Sequence, residues 1–284
     1  MNALIIMRFT IYEALRRRLV LAGVLLSLAF LGLFTLGYSF LYGKILEATG
    51  ARPSRQMLAI FGATMTLLGL YAVSFLSSFM ALFLTVGTIS GEVDSGALHA
   101  VLARPLRRAE YVLGRWLACT GMVGLYVLAM SGAVLLIARL IAGYSAVDAL
   151  RGIALLSLAA AVLVTLSLFG STWLSTLANG VAVFSLFGVA WLAGIIEFIG
   201  DALQNEAMFN LGVLVSLLVP SDALWRGASF FFQSPAAMLA LAAGRNVLPF
   251  ASGTPPSAPF IVWSAGYLLV LLVGATLVFA RRDL

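Results

Sequence analysis

Apolar positions dominate the chain and fall into runs that set its plan. An α-helix rises about 1.5 Å per residue, so a hydrocarbon layer of about 30 Å is crossed by about 20 apolar residues. Residues 19–43 form the first such run and residues 116–138 the third. The second, 58–90, would make roughly 50 Å of helix, well beyond the layer, so its surplus is expected to project from it as a rigid lever. Residues 152–196 contain no Asp, Glu, Lys or Arg over 45 positions, too many for one span and right for a helical hairpin. Ser175, Thr176, Asn179 and Gly180 supply the expected turn, because Asn-Gly tolerates positive φ. The fourth and fifth spans are then 152–174 and 181–199, and the sixth is 260–280. Ser74, Ser77 and Ser78 within the second span are read as bonding to their own helix, with bonds to a neighbouring helix as the alternative.

Two regions carry weaker patterns. Residues 2–18 place Leu4, Ile5, Phe9, Ile11, Tyr12 and Leu15 largely on one helical face and Glu13 and Arg17 on the other, with Arg8 and Ile6 out of place. This is either an interface helix lying on the bilayer or a frayed tail whose arginines only set orientation. Residues 200–258 hold two apolar pieces that stop short, 207–219 before Pro220 and 227–244 interrupted by Pro235. Both are expected as outer interfacial or re-entrant helices, which either cap a pathway or simply pack on the bundle. Ser221 and Asp222 resemble a helix-start signal and Trp225 suits an interface position.

Composition agrees with a membrane protein: 62% of residues are hydrophobic and 10% charged, against roughly a quarter charged in soluble domains. The formal net charge of +6 is spread in small groups beside the apolar runs. That distribution orients loops toward the cytoplasm rather than building a nucleic-acid surface. Arg16, Arg17 and Arg18 before the first span, and Arg281 and Arg282 after the last, put both termini inside; residues 44–55 become an outer loop. Arg115 and Arg139, at the two ends of the third span, are expected to snorkel to its surfaces. The opening residues have charge on both sides of their apolar stretch and no small-residue cleavage site, so no removable signal peptide is expected. Cys119 and His99 are single, which excludes an intramolecular disulfide, bis-histidine haem and a His-Glu-x-x-His zinc site. No fixed-period repeat is evident.

The most structured polar stretch is 91–111, GEVDSGALHAVLARPLRRAEY, between the second and third runs. Val93, Ala97, Leu98, Val101 and Leu102 fall at helical spacing; Glu92 and Asp94 favour the first turn, Arg104 the last, and Pro105 ends the helix. Arg107, Arg108 and Arg115 follow as a basic cluster. The plain alternative is a positively charged loop that only fixes topology.

Three short motifs here, Glu92 with Gly96-Ala97-Leu98, Arg104-Pro105-Leu106 with Arg108, and Tyr111 with Gly114-Arg115, resemble the first cytoplasmic loop of ABC-2 type exporter permeases. The ending Phe279-Ala280-Arg281-Arg282-Asp283-Leu284 is similar to that family's basic terminus. A Pro-[Ser/Thr]-Asp element at Pro220-Ser221-Asp222 is similar to one in permeases related to the copper-enzyme maturation exporter serving nitrous-oxide reductase. The resemblance implies an all-α integral membrane protein of the prokaryotic inner membrane, with six spans, an N-terminal interface helix that also touches the ATPase, a coupling helix at 91–108 and short outer helices before the last span. It further implies a separate ATP-binding cassette ATPase subunit, which would carry ATP and Mg, docked on Glu92, Val93, Asp94, Leu98, Val101, Leu102, Arg104, Pro105, Arg107 and Arg108.

The residues themselves limit the energy source. The chain has no G-x-x-x-x-G-K-[ST] loop, so it cannot grip ATP in that way. A proton-driven carrier would want ionisable groups deep in its spans, whereas the formal charges are expected at helix ends, with Glu197 the deepest. External energy through a mechanical contact is the expected source. A six-span unit offers half a pathway, so pairing with a second copy or a homologue is expected. Gly62, Gly69, Gly121, Gly124, Gly132, Gly170 and Gly188 would allow close helix approach, between units or within one. An intramembrane enzyme lacks a convergent catalytic set, since His99 stands alone. A channel, an ATP-independent carrier and an accessory membrane component remain rival classes. Apolar helices with scattered hydroxyls fit lipids, drugs, peptides or small hydrophobic metabolites alike.

Overall fold

The computed structural model describes residues 2–16, 18–48, 54–94, 108–235, 238 and 251–281. Its elements are helices throughout the described residues: α1 (Asn2–Arg16), α2 (Arg18–Ala48), α3 (Arg55–Thr85), α4 (Ser90–Asp94), α5 (Arg108–Ala142), α6 (Ala149–Ser171), α7 (Thr176–Ala202), α8 (Glu206–Leu218), α9 (Ser221–Phe232) and α10 (Ala258–Arg281). Six of these runs are long and apolar enough to cross a membrane, those of α2, α3, α5, α6, α7 and α10.

Helix α6 is the axis of the bundle. In its most apolar window 72% of residues are buried, against 11% in α2. It packs against α3, α5, α7, α9 and α10, which is why its small and branched residues, Ala159 to Val164, can lie within the protein rather than in lipid. Helix α2 touches only α1, α3 and α5 among the closer pairings and shows Leu25, Leu33, Leu36 and Phe40 to the outside. Side-chain caps start several helices by satisfying first-turn amides: Ser54 accepts from Met57 N at 3.1 Å, Asp148 from Arg151 N at 3.2 Å, and Asn205 from Ala207 and Met208 N at 3.1 Å each.

Several expectations change. The second run is one candidate span over Gln56–Glu92; within it α3 ends at Thr85 and a turn closed by Thr88 N to Thr85 O and Gly91 N to Gly87 O leads into α4. The lever is therefore jointed. Asn179 and Gly180 do not form a turn either. The chain reverses at 172–175, Ser175 caps α7, and Asn179 lies in its first turn. Ser74 and Ser78 do bond to their own helix, to the carbonyls of Tyr71 and Ser74. Ile6 is in place after all: with Thr10 and Ala14 it forms the buried stripe of α1, which packs on α5.

Of the two short helices that follow α7, α8 returns antiparallel along it, and α9 leaves α8 at 101° to pack on α6. Pro220 precedes α9 without a side-chain cap bond, so the Ser221–Asp222 start signal is not used as a cap. Trp225 is 2% exposed and packs on Tyr71 at 5.4 Å between ring centres, so it belongs to the core and not to an interface. Of the glycines expected at close contacts, Gly62 and Gly69 do face aromatic rings of Tyr144 and Phe34, and Gly170 faces Asn179. Gly121, Gly124, Gly132 and Gly188 have nothing within reach of an added Cβ among the described residues.

Candidate functional site

At the end of the bundle where α1, α4, the start of α5 and the end of α10 meet, α1, α4 and α5 share one buried charge. Arg115, one turn into α5 beyond Tyr111, is 1% exposed. Its Nη1 donates to Glu13 Oε2 of α1 at 2.7 Å, and its Nη2 forms an ion pair with Glu92 Oε1 of α4. The Tyr111 hydroxyl donates to the other Glu92 oxygen, and the guanidinium lies 5.4 Å from the Tyr111 ring centre. Arg115 therefore does not snorkel. Its planar fork answers two carboxylates at once, a geometry that a lysine cannot copy. Removing one partner of such a buried pair costs about 3–5 kcal/mol, because the remaining charge is left unanswered.

An apolar bed holds this cluster in place. Tyr111 stacks on Phe279 of α10 at 5.6 Å, with Ile6, Ile89, Val112, Leu168, Leu272 and Ala275 packed around them. Arg108 donates through Nη1 to the carbonyls of Phe279 and Ala280, at 3.3 and 3.1 Å, a charge-assisted cap on the last turn of α10.

The jointed end of α3 is fastened beside this cluster. The Asn179 amide donates to Val86 O at 3.2 Å and to Ser167 O at 2.9 Å, joining α7 to the ends of α3 and α6. Ser90 and Thr176 share a hydroxyl bond of 2.9 Å. Gly170 is needed here, since a Cβ would stand 2.1 Å from Asn179 Oδ1.

Of the residues expected to meet a partner, Glu92 turns its carboxylate inward to Arg115 and Tyr111, and Arg108 is engaged on α10. Val93 and Asp94 belong to the backbone of α4, while their side chains, and Leu98, Val101, Leu102, Arg104, Pro105 and Arg107, lie outside the described residues. Sequence reading missed Glu13 and the inward role of Arg115. One signal was present: Tyr111, Arg115 and Cys119 recur every four residues on a face that is otherwise apolar.

Two further features complete the site. Between α2, α3 and α7 a groove of ≈ 880 Å³ is lined by Leu26, Met80, Phe83, Tyr126, Val181 and Phe184, with no charged side chain among the described residues. At the opposite end, Arg226 of α9 donates to Glu197 of α7 at 2.7 Å and to Ser216 Oγ of α8 at 3.3 Å, and pairs with Asp222 at 3.1 Å. Asp222 fits against Gly194, where a Cβ would lie 2.0 Å from its Oδ2. Asp222 lies in the first turn of α9 and Glu197 near the end of α7, so these charges are at helix ends as expected, yet largely buried where the helices meet.

Among the described residues no group of three or more His, Cys, Asp or Glu is placed to hold a metal ion. Compared with known families, residues 5–284 match the family described as ABC-2 family transporter protein. No curated protein matches the chain.

Proposed function

Since the chain belongs to the ABC-2 transporter family, a family of multi-pass membrane transport proteins, we propose that it is the permease subunit of an exporter driven by a separate ATP-binding cassette ATPase. In this reading the charged loop faces the cytoplasm of a prokaryotic inner membrane, as do both termini. The ATPase, which holds ATP and Mg, docks on Val93, Asp94, Leu98, Val101, Leu102, Arg104, Pro105 and Arg107. Glu92 and Arg108 carry the resulting motion inward rather than gripping the partner. The observation that supports this most is the single guanidinium of Arg115 shared by Glu92 and Glu13. Displacement of α4 is felt at once by α1 and α5, and through Tyr111 and Phe279 by α10. The jointed end of α3 passes it to α7 through Asn179. The groove bounded by α2, α3 and α7 is then half of an apolar pathway, completed by a second permease copy or a homologue. Alternating access follows when the two halves rock together.

The test separates docking from transmission. The chain is co-purified with the ATPase encoded beside it, comparing wild type, an Asp94→Arg/Arg104→Glu variant and Glu92→Gln. Loss of the ATPase from the first variant, with retained binding but weakened coupled hydrolysis in Glu92→Gln, supports the reading. An ATPase that fails to bind wild type, or binds all three with equal coupled hydrolysis, refutes it. The buried Glu197, Asp222 and Arg226 charges favour one second reading, an ion-coupled carrier; transport that persists without ATP would select it.

A further inference from the structure

A second polar site, unused by the proposed coupling path, lies where α9 meets α3. The cavity there measures ≈ 20 Å³ and is bounded by α3, α6, α7 and α9. That is room for one water-sized particle, which needs about 10–15 Å³. Ser77 and Ser221, 3% and 4% exposed, line it, and their hydroxyl oxygens have no hydrogen-bond partner among the described residues. Asp222 lines the same cavity; its Oδ2, which lies against Gly194, lacks a well-aligned donor, although Arg226 Nε pairs with it at 3.1 Å. Ser74 and Ser78 also face the cavity. Each gives its proton to a carbonyl of its own helix, which leaves oxygen lone pairs for a further contact.

Charge decides what fills this space. Glu197, Asp222 and Arg226 are 17%, 12% and 16% exposed as side chains, and with one cation for two carboxylates their ionised sum is one negative charge. A buried water would satisfy the hydroxyls and leave that charge standing, which is costly in a low-dielectric interior. A monovalent cation answers both. Only one carboxylate reaches the cavity and a guanidinium stands beside it, so a divalent ion would overcompensate. The donors are all hard oxygens, suited to an alkali ion. We propose that the cavity between Ser77, Ser221 and Asp222 binds a single dehydrated cation of sodium's size, clamping the re-entrant helix α9 to α3.

The experiment is thermal unfolding of the purified chain in detergent, in NaCl against choline chloride and KCl at equal ionic strength. Expected is a rise in apparent Tm of about 3 °C in sodium that saturates as one site, with little in potassium. Ser77→Ala removes an unpaired buried hydroxyl, so its Tm in choline should equal or exceed wild type, while its apparent sodium affinity falls at least about tenfold. Asp222→Asn should lose the sodium increment altogether. Equal Tm in all three salts means that the cavity holds water only and overturns the proposal. So does a sodium increment that Ser77→Ala keeps unchanged, or one that potassium reproduces.

Discussion

The side-chain amide of Asn179 donates to the carbonyl of Val86, 93 residues earlier, at 3.2 Å. The same nitrogen reaches Ser167 O, so one planar group closes three helix ends. Asn179→Ala leaves both carbonyls without this donor and should destabilise the chain by about 1–3 kcal/mol. Gly170→Ala, which drives a methyl into Asn179 Oδ1, should reproduce the loss. Thermal unfolding in detergent measures both; wild-type stability in either variant would show that the joint is not held this way.

Arg115→Met leaves Glu13 and Glu92 facing each other beneath the loop, and should cost about 3–5 kcal/mol. Neutralising all three, with Glu13→Gln and Glu92→Gln added, should recover most of that stability while still breaking the link between α1 and α4. Arg115→Lys should fall between, because an ammonium cannot serve both carboxylates through parallel bonds. Unfolding curves of the series give the ranking directly.

Tyr111→Phe removes one hydroxyl and keeps the stack on Phe279. A hydrogen bond to a charged acceptor contributes about 1.5–3 kcal/mol, so a loss within that range is expected, cancelled when Glu92→Gln is already present.

Gly194→Ala tests the far end. The methyl would overlap Asp222 Oδ2, forcing the carboxylate away from Arg226 and loosening α9 from α7. A loss of about 1–3 kcal/mol is expected, as for overpacking, together with faster cleavage by protease added from that side. Gly188→Ala, where nothing stands within 4 Å, is the control and should behave as wild type.

Run length revealed six helices long enough to span and a shorter apolar piece ending at Pro220, because helix length against bilayer thickness is a local property. Contacts across the bundle were not legible, because they depend on which faces meet. Arg115 read as a snorkelling end group since nothing near it in sequence offers two carboxylates; Glu13 lies 102 residues away. Asn179-Gly180 carried the chemistry of a turn, and tertiary bonds to Val86 and Ser167 overrode it. Trp225 has the composition of an interface anchor, yet the 101° break at Pro220 folds it onto Tyr71. The residues proposed to dock a partner, Leu98 to Arg107, lie outside the described residues.

Helix α1 has two apolar aspects with different fates. Leu4, Ile5, Phe9, Tyr12 and Leu15 remain 56–65% exposed in the finished bundle, whereas Ile6, Thr10 and Ala14 are covered by α5. During synthesis α5 does not yet exist when α1 leaves the ribosome, and Glu13 must wait for Arg115. Assembly then requires only that the stripe of Ile6, Thr10 and Ala14 meet α5, so a helix made earlier in the chain is held open as a clasp and fastened when Arg115 arrives.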